Sequence, residues 1–133
     1  MKPKVLVVCQ GGNVRSSGLA TLLKGTYGCD ALNMGTGWAQ PETQRVLCEW
    51  ADWIVPIEPR QLCLHSSVNQ PLWDASVMWE ERYDHKRVIF DVGEDRWGNP
   101  MAEGYQDFLR GRIEPLLEYI KKCWRTVRHK VGP

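Results

Sequence analysis

A short apolar run, Val5–Val8, is followed at once by a glycine-rich turn and a helix-forming segment. A continuous run of β-branched residues and leucine is typical of a parallel strand that is covered on both faces. The turn reads Cys9-Gln10-Gly11-Gly12-Asn13-Val14-Arg15-Ser16, and the predicted helix runs from Ser16 to about Tyr27. A strand, a turn and a helix in this order open a βαβ unit. The chain is therefore predicted to fold around a parallel sheet with Val5–Val8 as its central strand.

The rest of the chain repeats this alternation of strand and helix patterns. Further strands are predicted at Ala31–Leu32, Trp53–Ile57 and Arg87–Phe90, and further helices from Pro41, over Pro71–Tyr83 and over Tyr105–Ile120. Pro115 predicts a break in the last helix between Gly111 and Glu114. Pro56 has no N–H to donate, so pairing is expected to stop there or to lie at a sheet edge. These elements predict a three-layer α/β sandwich of four parallel strands, forming a single domain over residues 1–133.

Charge and cysteine content exclude several classes of protein. The formal net charge is +1, so neither nucleic acid nor an anionic membrane is an expected partner. Since the longest apolar run is too short for a membrane span or a signal peptide, a cytoplasmic protein is expected. The five cysteines are odd in number and form no C-x-x-C pair, which argues against a disulfide framework and a structural zinc site. The three histidines have no metal-ligand spacing, and we treat them as surface residues.

The turn after the first strand has the composition of a phosphate-binding loop. At a helix N-terminus several backbone N–H groups lack an intrahelical partner, so a loop curled around that point can direct its amides onto one oxyanion. Gly11 and Gly12 permit unusual backbone angles, and Asn13 tolerates the left-handed region. The planar guanidinium of Arg15 can hold two phosphate oxygens at once. The Cys9 thiol beneath these positive groups is favoured as a thiolate, which is the nucleophilic form.

The Cys-x5-Arg-Ser spacing directly after a first strand resembles the signature of the low-molecular-weight protein tyrosine phosphatase family. Three more segments resemble that family in the expected order. Asn33–Trp38 is similar to its Ser-Ala-Gly-Thr segment and the aromatic that follows, and Ala51–Val55 is similar to the entry to its third strand. Glu94–Asn99 is similar to its Glu-Asp-Pro-Tyr-Tyr-Gly-Asn segment, with one residue fewer. The resemblance covers nearly the whole chain, and the cysteine loop and the Asp95 loop are its two sharp motifs.

The resemblance implies the strand order 2-1-3-4 and a phosphatase that hydrolyses phosphate monoesters through a phosphocysteine intermediate. Cys9 maps onto the nucleophile, Arg15 onto the residue that holds the equatorial oxygens, and Asp95 onto the general acid. The implied phosphate-binding residues are those of the loop: Gln10, Gly11, Gly12, Asn13, Val14, Arg15 and Ser16. In this chemistry arginine and backbone amides supply the positive charge, so neither a metal nor a cofactor is expected.

Two tryptophans are predicted to border the pocket. Trp38 and Trp97 fall in loops that are predicted to lie near the cysteine. Flat aromatic walls there would favour a phosphorylated aromatic ring as substrate. For Trp38, a position in the core fits the sequence almost as well. The expected substrate is thus a phosphorylated protein, with phosphotyrosine first, or a small aryl phosphate. Inorganic phosphate or a similar oxyanion is the expected ligand of the loop.

The chain also departs from the family pattern. Gly12 stands where the family has asparagine, Val14 replaces a second cysteine, Ser17 replaces the proline after Arg-Ser, and Arg96 replaces the proline after the acid. Without the second cysteine the vicinal disulfide of some members cannot form, so Cys9 is expected to be more exposed to overoxidation.

Several alternatives remain open from the sequence. Asp91 is a rival general acid, although aspartate also commonly stabilises a turn at a strand end. Thiol-linked arsenate reductases resemble the same scaffold but need resolving cysteines, for which Cys48 and Cys63 offer no recognisable pair. A phosphocysteine carrier would leave Arg15 and Asp95 unexplained. A phosphate-binding module without catalysis is the third alternative, and it is favoured mainly by the positions at which the cysteine loop differs from the family pattern.

Overall fold

The apolar run near the N-terminus forms the central strand of a parallel sheet. The computed structural model describes residues 2–11, 15–60, 70–93 and 99–121. Its strands are β1 (Lys4–Cys9), β2 (Asp30–Gly35) and β3 (Trp53–Pro56), in the order β2-β1-β3. β1 pairs with both neighbours in parallel, and Val5 lies opposite Ala31 on one side and Trp53 on the other. The predicted α/β class and the central position of the first strand are confirmed.

The predicted fourth strand, Arg87–Phe90, does not form a regular ladder. It contributes one isolated parallel bridge, between Ile54 and Arg87. The N–H groups of Val88, Phe90 and Val92 donate to the carbonyls of Ile54, Pro56 and Ile57 at 2.9, 2.9 and 3.0 Å. Pro56 has no N–H with which to donate in return, so the reciprocal bonds of a second bridge cannot form there. The regular sheet within the described residues therefore has three strands.

The helices are α1 (Arg15–Thr26), α2 (Pro41–Trp50), α3 (Gln70–Asp74) and α4 (Glu103–Arg110). Two 3₁₀ segments, Val77–Trp79 and Glu81–Lys86, follow α3, and residues 114–121 are again helical. The chain turns at 111–112 between α4 and this last stretch, so the predicted break before Pro115 is confirmed. No helix among the described residues combines the length and apolar character needed to span a bilayer.

The predicted continuous helix over Pro71–Tyr83 is wrong. Extended backbone at Ser76 and Glu80, with ψ of 142° and 141°, divides it into α3 and the two 3₁₀ segments. The Ser76 hydroxyl donates to Gln44 Oε1 at 2.7 Å, and the Val77 N–H donates to the same oxygen at 3.2 Å. Serine and its neighbour thus bond to α2 rather than continuing a helix, which the spacing of apolar residues could not reveal.

The two faces of β1 supply two separate cores. Val5, Val7 and Cys9 face a cluster that includes residues of α1, α4 and the last helical stretch. Leu6 and Val8 face a second cluster, which includes Cys48 of α2 together with Trp73, Met78 and Tyr83. Helices therefore cover both faces of the sheet, as the unbroken apolar run predicts.

The packing of α1 against α4 depends on Gly18. A Cβ at this position would lie 2.5 Å from Tyr105 Cε2 and 2.9 Å from the Pro100 carbonyl oxygen. The Tyr105 hydroxyl donates to the Arg15 carbonyl at 2.7 Å, so the same close approach holds α4 against the start of α1. Any side chain at position 18 must push the two helices apart.

We expect Gly18→Ala to lower the free energy of unfolding by about 1–3 kcal/mol, because overpacking outweighs the gain in helix propensity. Gly25→Ala is the matched control, since a Cβ at Gly25 of the same helix has nothing within 4 Å. The control is expected to be neutral or to stabilise by up to about 1 kcal/mol. Urea unfolding followed by circular dichroism measures both, and equal effects would contradict the packing role of Gly18.

Candidate functional site

The candidate site lies at the carboxyl end of β1, where Cys9 is the last residue of the strand. The segment after β2 is fastened to this end, because the N–H groups of Thr36 and Gly37 donate to the carbonyls of Cys9 and Gln10 at 3.0 and 2.8 Å. β1 ends at Cys9 and α1 is described from Arg15, so five residues of the chain separate the central strand from this helix. This is the edge of a parallel sheet at which ligands commonly bind.

Cys9 and Ser16 are in direct contact. The Sγ and Oγ atoms are 2.9 Å apart, and the two residues are 3% and 0% exposed. Either atom could be the donor with the thiol protonated. A Cys9 thiolate, having no proton, could only accept from the serine hydroxyl, so this contact provides a donor for a sulfur anion.

The other described cysteines lie away from this contact and are unsuited to nucleophilic chemistry. Burial raises the pKa of the Cys48 thiol to about 11. Burial, and secondarily the charge of Asp30, also raise the pKa of Cys29. Cys29 directly precedes β2 at the opposite end of the sheet from Cys9, and Cys48 packs in the core on the other face. Both remain protonated at neutral pH.

Arg15 is buried and bound to two other segments of the chain. Its Nη1 is 3.4 Å from Glu58 Oε2 and donates to the Gly93 carbonyl at 2.9 Å. The side chains of Arg15 and Glu58 are 9% and 3% exposed. A buried charge is tolerated when it is paired and hydrogen-bonded, and both conditions hold here.

Glu58 is a site residue that the sequence analysis missed. It is 2% exposed, and besides Arg15 it accepts a hydrogen bond of 2.8 Å from Gln10 Nε2 on its Oε1. Gln10 is itself 7% exposed, and its Nε2 also lies 3.5 Å from Gln70 Oε1. The signal in the sequence was the place of Glu58 two residues beyond β3, because the carboxyl ends of β1 and β3 meet at one sheet edge.

Thr36 is the second residue at this end of the sheet that the sequence analysis missed, and its side-chain hydroxyl has no hydrogen-bond partner among the described residues. The residue is 2% exposed. Leaving a buried hydroxyl unsatisfied costs about 1–3 kcal/mol, and the Thr36 backbone lies beside Cys9 because its N–H donates to the Cys9 carbonyl.

Trp38 is exposed rather than packed in the core. The residue is 78% exposed. Its backbone N–H donates to the Gly35 carbonyl at 3.2 Å, within the segment that is hydrogen-bonded to Cys9 and Gln10. The core-packing alternative for Trp38 is thus wrong, and the residue presents a large aromatic surface near the candidate site.

Asp91 forms a turn. Its Oδ1 accepts the N–H of Gly93 at 2.9 Å, and Gly93 has a φ of +74°, which favours glycine. The same Gly93 provides the carbonyl that binds Arg15. Asp91 therefore has the turn-forming role expected of an aspartate at a strand end.

Five predicted site residues lie outside the described residues: Gly12, Asn13, Val14, Asp95 and Trp97. The structure brings together Cys9, Gln10, Arg15 and Ser16 from the predicted set and adds Glu58 and Thr36. Within residues 2–11, 15–60, 70–93 and 99–121, no group of three or more His, Cys, Asp or Glu side chains could hold a metal ion. Comparison with protein-family models, with curated proteins and with solved structures finds no match to this chain.

Proposed function

We propose that this protein is a cysteine-dependent phosphatase that hydrolyses phosphate monoesters through a phosphocysteine intermediate. The observation that carries the proposal is the 2.9 Å contact between the buried Cys9 Sγ and the Ser16 Oγ at the end of the central strand. The residue between the loop and Ser16 is Arg15, whose buried guanidinium is held by Glu58 and Gly93. This reaction uses a sulfur nucleophile, a hydroxyl that donates to the sulfur anion, and a fixed guanidinium that can bind two phosphate oxygens.

In the first step the Cys9 thiolate forms a bond to phosphorus while the bond to the leaving oxygen breaks, and Asp95 donates a proton to that oxygen. In the second step water attacks phosphorus, the Asp95 carboxylate accepts a proton from the water, and the sulfur–phosphorus bond breaks. Arg15 and the N–H groups of the loop hold the equatorial oxygens in both steps. The Ser16 hydroxyl donates to the sulfur when it carries negative charge.

Within this proposal the substrate is an aryl phosphate, with phosphotyrosine on a protein first. The exposed Trp38 ring supports this choice, because an aromatic wall favours a flat leaving group over an alkyl phosphate. Trp97 is proposed as the second wall. Inorganic phosphate is the product and the proposed ligand of the loop, and a cytoplasmic location is part of the same proposal.

We also propose that the chain has the four-stranded fold of the low-molecular-weight protein tyrosine phosphatases, with the strand order 2-1-3-4. The three hydrogen bonds from Val88, Phe90 and Val92 support this assignment, because they place the segment parallel to β3 on the side away from β1. The gap in the ladder is then the local effect of Pro56.

The test is hydrolysis of para-nitrophenyl phosphate by the purified protein, with mass spectrometry of acid-quenched samples. We expect release of nitrophenol and phosphate, and a phosphoryl group on Cys9 during turnover. Absence of hydrolysis would overturn the proposal. A phosphoryl group that persists on Cys9 without release would indicate a carrier, and an arsenate-dependent disulfide would indicate a reductase.

A further inference from the structure

Glu58 connects the two ends of the cysteine loop. Its Oε1 accepts from Gln10 Nε2 at 2.8 Å, and its Oε2 lies 3.4 Å from Arg15 Nη1. Gln10 is the first residue after Cys9, and Arg15 is the first residue of α1. One buried carboxylate therefore holds both residues that flank the loop segment 11–14.

The contacts of Arg15 determine which edge of its guanidinium is left for a ligand. Nη1 carries two protons, and within the described residues its two acceptors are Glu58 Oε2 and the Gly93 carbonyl. Because the guanidinium is planar and rigid, two acceptors at one corner fix the orientation of the whole group. Among the described residues the Nε–H and Nη2–H edge has no acceptor, and its two parallel donors suit two oxygens of one phosphate.

We infer that Glu58 is a positioning residue, which orients Arg15 and Gln10 so that the loop binds a tetrahedral oxyanion. The inference rests on the proposed function and adds a residue to it. Glu58 acts through Arg15 and does not touch the substrate. Its charge also balances that of Arg15 when the site is empty, which allows the guanidinium to remain buried.

The role depends on the number of acceptors at position 58. A carboxylate offers two acceptor oxygens and meets two donors, whereas an amide offers one acceptor and one NH₂ group. In Glu58→Gln, one of the two donors, Gln10 Nε2 or Arg15 Nη1, must face another donor. In the exchanged pair Gln10→Glu with Glu58→Gln, the amide at 58 can donate to the carboxylate at 10 and still accept from Arg15. The exchange thus restores the hydrogen-bond pattern with the same atoms.

The experiment measures the Kd of inorganic phosphate by calorimetry and kcat/KM with para-nitrophenyl phosphate for wild type, Glu58→Gln and the exchanged pair. A hydrogen bond to a charged group contributes about 1.5–3 kcal/mol, so we expect Glu58→Gln to weaken phosphate binding and lower kcat/KM by about 10–100-fold. The exchanged pair is expected to recover both to within a few-fold of wild type. Glu49→Gln, at a glutamate that accepts from the Tyr83 hydroxyl, is the matched control and is expected to leave both unchanged.

Circular dichroism and thermal unfolding report whether each variant is folded. Wild-type affinity in Glu58→Gln would overturn the inference, as would an exchanged pair that is folded and still as weak as the single variant. If wild type binds phosphate but does not hydrolyse the ester, the proposed function fails while the Kd series still tests Glu58. If wild type does not bind phosphate, both fail.

Discussion

Replacing Cys9 by serine is expected to abolish hydrolysis of aryl phosphates while leaving the binding of inorganic phosphate intact. A serine hydroxyl is far less acidic than a thiol and cannot supply the anion that attacks phosphorus. Loss of an enzymatic nucleophile typically costs on the order of 10⁴–10⁶ in turnover. The loop amides and Arg15 are untouched by the substitution. The new hydroxyl can still bond to Ser16, which lies 2.9 Å from Cys9 Sγ.

Steady-state kinetics with para-nitrophenyl phosphate and calorimetry with inorganic phosphate separate the two parts of this prediction. Cys29→Ser is the matched control, because it makes the same exchange at a buried cysteine at the opposite end of the sheet. The control should retain turnover. Turnover of the Cys9 variant near the wild-type rate would show that the sulfur is not the nucleophile. Loss of phosphate binding in a folded variant would show that binding by the loop amides and Arg15 depends on the sulfur.

Replacing Asp95 by asparagine is expected to lower kcat by about 10²–10⁴, the usual contribution of a positioned general acid. An amide cannot donate the proton that the leaving oxygen needs. The loss should be larger with phenyl phosphate than with para-nitrophenyl phosphate, since phenolate is the more basic leaving group and needs the proton more. Kinetics with both substrates measures this difference, which a merely structural effect would not produce.

Asp91→Asn is the matched control for the acid. The Asp91 Oδ1 accepts the Gly93 N–H at 2.9 Å, and an asparagine oxygen can accept the same bond, so the turn should survive. We expect this variant to remain within a few-fold of wild type. The assignment of the acid would be reversed if Asp91→Asn lost activity by the larger factor and Asp95→Asn kept it.

The effects of two prolines on the fold could be predicted from the sequence. Pro115 follows the turn at 111–112, and Pro56 limits pairing beyond β3, in both cases because proline lacks an N–H. The helix predicted over Pro71–Tyr83 failed for a different reason. Trp73 and Met78 of this segment are buried, but Leu72 is 49% exposed, and Ser76 bonds to Gln44, which lies 32 residues away in the chain. The periodic spacing of apolar residues cannot reveal such a distant partner.

The candidate site divides in the same way. The cysteine motif was evident in the sequence, because its residues are contiguous. The exposure of Trp38 was not evident, since an aromatic in a loop is compatible with either a core or a surface position until the neighbouring elements are placed.

The sequence alone determined the central parallel strand, the glycine-rich loop after it and the position of a cysteine, an arginine and a serine around that loop. Local spacing suffices for these features, because a strand followed by a turn and a helix brings its own residues together. Only the tertiary structure decided what holds Arg15, since Glu58 and Gly93 are 43 and 78 residues distant from it in the chain. A guanidinium can be buried only when acceptors bind its N–H groups. Which segments provide these acceptors depends on how the strands are ordered at the sheet edge.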